Sequence, residues 1–154
     1  MGDLKPIKRH KALQPLSRQH HFGLLYSWKI RRGFSRNIPI ERMSAFSSWF
    51  YIHQIIPHFE AEEHYIFPIL KPDDELVQRA LKEHRRIKRL FEDKKNPVRS
   101  LSLLEEELQA HIRFEERVLF NKIQEVATPS ELMKIEAIHT PEPKLATYID
   151  PFWE

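Results

Sequence analysis

The chain has 154 residues, 41% of them hydrophobic, with three Gly, 11 Pro, no Cys and a formal net charge of +3. That length suits one core and one domain. Without Cys, disulfides, thiolate zinc sites, iron–sulfur clusters and a cysteine nucleophile are excluded, and any metal must be held by His and carboxylate. No run of about 18 apolar residues occurs, and the opening "MGDLKPIKRHK" lacks the apolar stretch of a signal peptide, so the expectation is a soluble, cytoplasmic protein without membrane contact.

Scarce Gly and Pro placed between apolar-periodic stretches predict an all-α class. A first helix opens at Pro15 and runs to about Gly33, with Pro in the first turn and Gly past the end. A second follows Pro39 to about Leu70; Pro57 inside it removes a backbone hydrogen bond, which predicts a kink. Pro72-Asp73-Asp74 starts a third helix, to about Lys95, because acids favour the positive end of the helix dipole. Asn96-Pro97 starts a fourth, ending near Ala127. Thr128 and Glu131 form a capping-box pattern for a short fifth helix, followed by a tail without regular structure. Four long helices with short connections predict an antiparallel up-down-up-down four-helix bundle over residues 14–127, an N-terminal extension over 1–13, and a short helix with C-terminal tail over 128–154.

One pattern is written twice: "HFEAEEHYIFP" at 58–68 and "HIRFEERVLFN" at 111–121. A Glu four places after a His lies only about 40° round the helix and one turn along, so His58 with Glu62, and His111 with Glu115, can each chelate from one helix. Glu63 and Glu116 lie about 140° from their His and are expected to point away. The first helix offers His20 and His21, the third His84. Buried facing carboxylates need a compensating charge, which a metal cation supplies; two carboxylates from different helices can bridge two ions, and this N/O set suits iron, with manganese or zinc as alternatives. His53 and His64 fall on other faces, and His10 and His139 in terminal or loop sequence.

These stretches, with the leading "LSRQHH", resemble the hemerythrin-like (HHE cation-binding) domains over about residues 14–127. The resemblance implies a four-helix bundle with a non-haem di-iron centre of two Fe ions. Its ligands would be His58 and Glu62 on the second helix, His84 on the third, His111 and Glu115 on the fourth, and His21 or His20 on the first. A His followed by apolar residues three and four places later, here Leu24 and Leu25, favours His21. Oxygen carriers of the family place two His four apart on the third helix, where this chain has Ala80 and Lys88 flanking His84, and an Asp where it has Glu116. The expected role is therefore a metal-binding protein rather than a dedicated enzyme, one that binds or reacts with oxygen, peroxide or nitric oxide in sensing or iron and redox handling.

Two other classes compete. The runs "HRRIKRLFEDKK" and "IRRGFSR" could bind nucleic acid or an acidic partner, but their interleaved acids read as a solvated helix face. A metal-free helical interaction module, its tail "YIDPFWE" docked on a partner or on its own bundle, is the other.

Overall fold

The computed structural model describes residues 8–138 and 147–154. Among them the regular structure is entirely helical, as expected from the punctuation. Helix α1 spans Gln14–Ser35, with Pro15 in its first turn. It passes the expected stop at Gly33, and Asn37 takes the left-handed conformation (φ 55°) as the Ile38 N–H returns to the Gly33 carbonyl at 3.0 Å. Gly33 serves packing instead: a Cβ there would overlap Met43 Sδ.

The second helical run holds α2 (Ile40–Phe50), a π-helical turn (Tyr51–Ile55), α3 (Ile56–Ala61), another π turn (Glu62–Ile66) and a 3-10 turn (Phe67–Ile69). Pro57 has no N–H to give, and the widened turn just before it re-registers the backbone through the Ile56 N–H to the Tyr51 carbonyl. Helix α4 (Glu75–Glu92) is capped by Asp74, whose carboxylate accepts from the Leu76 N–H at 2.8 Å. Helix α5 (Pro97–Phe114) is capped by Asn96, which accepts from the Arg99 N–H at 3.2 Å. A π turn (Glu115–Leu119) joins α5 to α6 (Phe120–Val126). The capping box forms as expected before α7 (Pro129–Ile138): the Thr128 N–H donates to Glu131 Oε1 at 2.9 Å, and the Glu131 N–H to Thr128 Oγ1 at 3.1 Å.

Helix α1 packs chiefly against α5, and α4 also packs against α5, an arrangement compatible with a helical bundle. Two apolar cores form. One contains Tyr26, Phe46, Phe59, Ile87, Leu104 and Ile112; the other contains Leu16, Ile66, Phe67, Ala80, Phe114 and Phe120. Every long helical run leaves one core and enters the other, and the residues at the changeover are His20, His58 with Glu62, His84, and His111 with Glu115. The polar residues singled out by the repeat thus lie between two dry layers.

Within residues 147–154 the tail has no helix or strand, and it docks on this chain's own helices. Phe152 is buried against Phe46, the Lys29 ammonium lies 3.9 Å from the Trp153 ring centre, and Arg42 pairs with Asp150 at 2.7 Å. His139 lies outside the described residues. Phe46 joins this tail to the rings of Tyr26 and Phe50. Phe46→Ala is expected to cost about 3–5 kcal/mol, the usual loss for emptying a buried aromatic site, read as a lower denaturant midpoint.

Candidate metal centre

Glu62 and Glu115 are completely buried, and His20, His58, His84 and His111 nearly so. Each carboxylate divides its oxygens. Glu62 Oε2 lies 3.3 Å from His58 Nε2 and 3.6 Å from His20 Nε2, while Oε1 lies 3.1 Å from His84 Nε2. Glu115 Oε1 lies 2.9 Å from His20 Nε2, while Oε2 lies 3.3 Å from His111 Nε2 and 3.6 Å from His84 Nε2. Two overlapping ligand sets result, His20/His58/Glu62/Glu115 and Glu62/His84/His111/Glu115, with the ligand atoms of each within 4.8 Å of one another.

The fit to a cation is read from atoms left without partners. His58, His84 and His111 Nε2, both Glu62 oxygens and Glu115 Oε2 are buried and make no hydrogen bond. Orphaned polar atoms at one point are costly, and a metal ion satisfies lone pairs from all of them together. Two of the three π turns begin at these carboxylates: the Phe67 N–H reaches the Glu62 carbonyl, and the Phe120 N–H the Glu115 carbonyl. The doubled sequence is therefore a doubled backbone device that widens the helix one turn past each His.

Without a cation, the buried carboxylates favour protons on the imidazoles around them. Burial opposes a proton on His20, but Glu115, Glu116 and Glu62 outweigh it and raise its pKa well above the ordinary value. Burial is likewise outweighed at His84 by Glu115, Glu62 and Glu63, and at His111 by Glu115 and Glu83. For Glu62, burial and Glu115 push upward, yet His58 and His20 bring the carboxyl down to about 2. Glu115, also raised by burial, is held well below the usual range by His111, His20 and His84. A cation entering here replaces those protons.

The first-helix histidine differs from the favoured expectation. His20 lies in the cluster; His21 is exposed, and so is Leu24 (37%). The buried stripe of α1 runs Leu16, His20, Gly23, Ser27 and Ile30. Its inward face uses small residues where α5 approaches, so counting apolar residues selected the neighbouring stripe. His58, Glu62, His84, His111 and Glu115 come together as the helical spacing required, while His53 and His64 stay exposed. Of the two residues flanking His84 by one turn, Ala80 is fully buried in the core and Lys88 is half-buried.

Sequence reasoning missed an outer set. His58 Nδ1 donates to Gln19 Oε1 at 2.6 Å, His84 Nδ1 to Glu63 Oε2 at 2.7 Å, and His111 Nδ1 to Glu83 Oε1 at 2.7 Å. His20 Nδ1 stands 3.2 Å from Glu116 Oε1 without hydrogen-bond alignment. Three imidazoles are thus held from a neighbouring segment, that of α3 by α1, that of α4 by the π turn after α3 and that of α5 by α4, while the π turn after α5 sets Glu116 beside that of α1 without an aligned bond. Glu63 and Glu116 do point away from the centre, as expected, yet they reach the outer nitrogen of a neighbour's ring. A signal was present: Gln19, Glu63, Glu83 and Glu116 each adjoin an inward-facing residue in sequence. With Nδ1–H committed outward, a neutral ring carries its lone pair on Nε2, facing the cluster. The Phe59 ring stacks on His84 with centres 3.7 Å apart and an interplanar angle of 2°, which fixes the ring plane.

A small cavity of about 20 Å³ adjoins the cluster, lined by Gln19, His20, Gly23, His58, Phe59, His111 and Ile112 among others. Among the described residues no helix is long and apolar enough to cross a membrane. No curated protein and no solved structure matches the chain. The family model for the hemerythrin HHE cation binding domain matches residues 29–123, which takes in both copies of the repeat and His84 and begins after His20. The match covers more than half of the chain, and the chain belongs to the hemerythrin HHE cation-binding domain family.

Proposed function

We propose that this is a non-haem di-iron protein in which Glu62 and Glu115 bridge two ions, one held by His20 and His58 and the other by His84 and His111. The observation that carries the reading is the division of each carboxylate, one oxygen toward each pair of imidazoles. A mixed imidazole and carboxylate set suits iron, with manganese or zinc as substitutes. The order in which successive helices pass from one core to the other supports an antiparallel up-down-up-down bundle over residues 14–127.

Iron bound there supplies a coordination position and electrons for a small molecule such as oxygen, peroxide or nitric oxide. The chain's contribution is selection. The cavity is small, about 20 Å³, so it suits ligands of two or three atoms such as oxygen, nitric oxide, peroxide or azide and excludes organic substrates. Phe59, Leu108 and Ile112 line it alongside His20, His58 and His111, which keeps the surroundings dry. Since α4 supplies His84 alone, with Ala80 closed into the core, sensing or redox handling of the ligand fits better than reversible carriage.

Protein expressed in iron-replete, chelator-free medium is expected to hold two iron ions per chain, with an optical spectrum that changes on reduction and on adding azide or nitric oxide. Elemental analysis that finds no transition metal would count against the central reading. Gly23 provides a sharper check of the cavity, because a Cβ there would lie 2.5 Å from Ile112 Cδ1. That terminal methyl has the cavity as a neighbour. Gly23→Ala is expected to leave iron content and fold intact while weakening the azide-induced spectral change about tenfold, roughly 1.4 kcal/mol of lost ligand affinity. An unchanged azide titration would place the ligand elsewhere.

A further inference from the structure

We propose that Gln19 makes the His20/His58 half of the cluster the exchangeable metal position, while Glu63 and Glu83 make the His84/His111 half the permanent one. This inference rests on the two-ion reading above. The inner ligands are matched, each half having two imidazoles and one oxygen from each carboxylate. The outer partners are not.

His84 and His111 each give their Nδ1 proton to a carboxylate at 2.7 Å. Such a charge-assisted bond draws the proton outward and raises electron density at Nε2, strengthening the ring as a donor to metal. His58 has the neutral Gln19 amide in that place. A neutral acceptor orients the ring equally well but polarises it less.

His20 does no better. Glu116 Oε1 lies 3.2 Å from its Nδ1 and out of line, while Glu116 Oε2 is engaged by Ser17 Oγ at 3.1 Å and Arg9 Nη2 at 3.1 Å. Glu83 is also shared, with Arg79 on Oε2 at 2.9 Å, yet its Oε1 keeps an aligned bond to His111. Neither imidazole of the first half therefore has an aligned anionic partner, whereas both of the second half do. The cavity supplies an independent observation: Gln19 and both imidazoles of the first half, His20 and His58, line it, whereas of the second half only His111 does and His84 does not. A small ligand entering there meets both imidazoles of the weaker half and only one of the other. Gln19 is accordingly a positioning residue that sets which ion is open to exchange.

The test uses the full chain with nitrogen-15-labelled histidine, loaded with zinc and then challenged with EDTA. Zinc release and the ring-nitrogen signals of the four histidines are followed together. Two phases are expected, with His20 and His58 returning to their metal-free signals while His84 and His111 stay coordinated. Gln19→Glu should slow the first phase by about 10–100-fold, the usual effect of an outer partner, and Gln19→Leu should hasten it. If Gln19→Glu misfolds, Glu83→Gln is the mirror experiment and should hasten the slow phase by a similar factor.

A single release phase from both halves, earlier loss from His84 and His111, or rates unmoved by both Gln19 variants would overturn the inference and leave the two-ion reading standing. Wild-type protein that takes up neither zinc nor iron would overturn the metal reading itself, and the inference with it. A lone ion on His84 and His111 agrees with the inequality and removes the bridged pair; a lone ion on His20 and His58 contradicts it.

Discussion

Glu115→Ala and Glu62→Ala are each expected to strip the protein of both metal ions, lowering affinity by more than the roughly 10–100-fold typical of an outer hydrogen-bond partner. The reason lies in the divided carboxylates. Glu115 presents Oε1 at 2.9 Å from His20 Nε2 and Oε2 at 3.3 Å from His111 Nε2, so its loss removes a ligand and a negative charge from each half. Glu62 does the same from the opposite helix, through His58 and His84. The remaining imidazoles cannot compensate, since they are neutral when they bind metal. Glu60, exposed on α3 between His58 and Glu62, is the matched control, and Glu60→Ala should keep full metal content. Metal per chain by elemental analysis, with circular dichroism to verify helix content, gives the readout. Retention of both ions in Glu115→Ala would rule out the bridging role.

The stabilisation that metal confers is expected to grow steeply as pH rises from about 5 to about 8, because binding displaces protons. In the metal-free protein, His20, His84 and His111 have pKa values raised above 6.5. Their contribution to stability is therefore complete below 6.5 and is lost as pH climbs through the raised folded values. The carboxyls behave in the opposite sense. Glu62, lowered from 4.5 to about 2, contributes above 4.5 and loses that contribution as pH falls through about 2. The metal-free cluster is thus best satisfied in mildly acidic solution, where the imidazoles are protonated and the carboxyls are not. Metal needs those imidazoles neutral, so its affinity should rise about tenfold per pH unit for each proton released. Thermal melts with and without saturating metal should separate further at each higher pH. A gap that narrows over this range would mean that the imidazoles are not displaced from their protons by the metal.

The reach of the sequence differs between the inner and outer residues. His58 with Glu62, and His111 with Glu115, were legible because a chelating pair on one helix depends only on helical pitch, and the second copy makes coincidence a poor account of the first. The helix starts near Asp74, Asn96 and Thr128 were legible for the same reason, since the acids and caps that mark a start act within one turn. The choice between His20 and His21 was not. It depends on which stripe of α1 meets α5, and that stripe is built around Gly23, where close approach matters more than hydrophobicity.

From the sequence alone follow the helical class, the cysteine-free ligand chemistry, the doubled His-x-x-x-Glu pattern and the family to which it points. Each rests on composition or on spacing within one helix, and neither needs to know how the helices meet. Tertiary structure decided the rest. It brought four helices to one level between two apolar cores, gave each buried carboxylate one oxygen for either side, and placed π turns where both carboxylates begin. It also set Gln19, Glu63, Glu83 and Glu116 behind imidazoles of neighbouring helices. Those contacts depend on the rotation and axial register of one helix against another, and packing of the whole core fixes both.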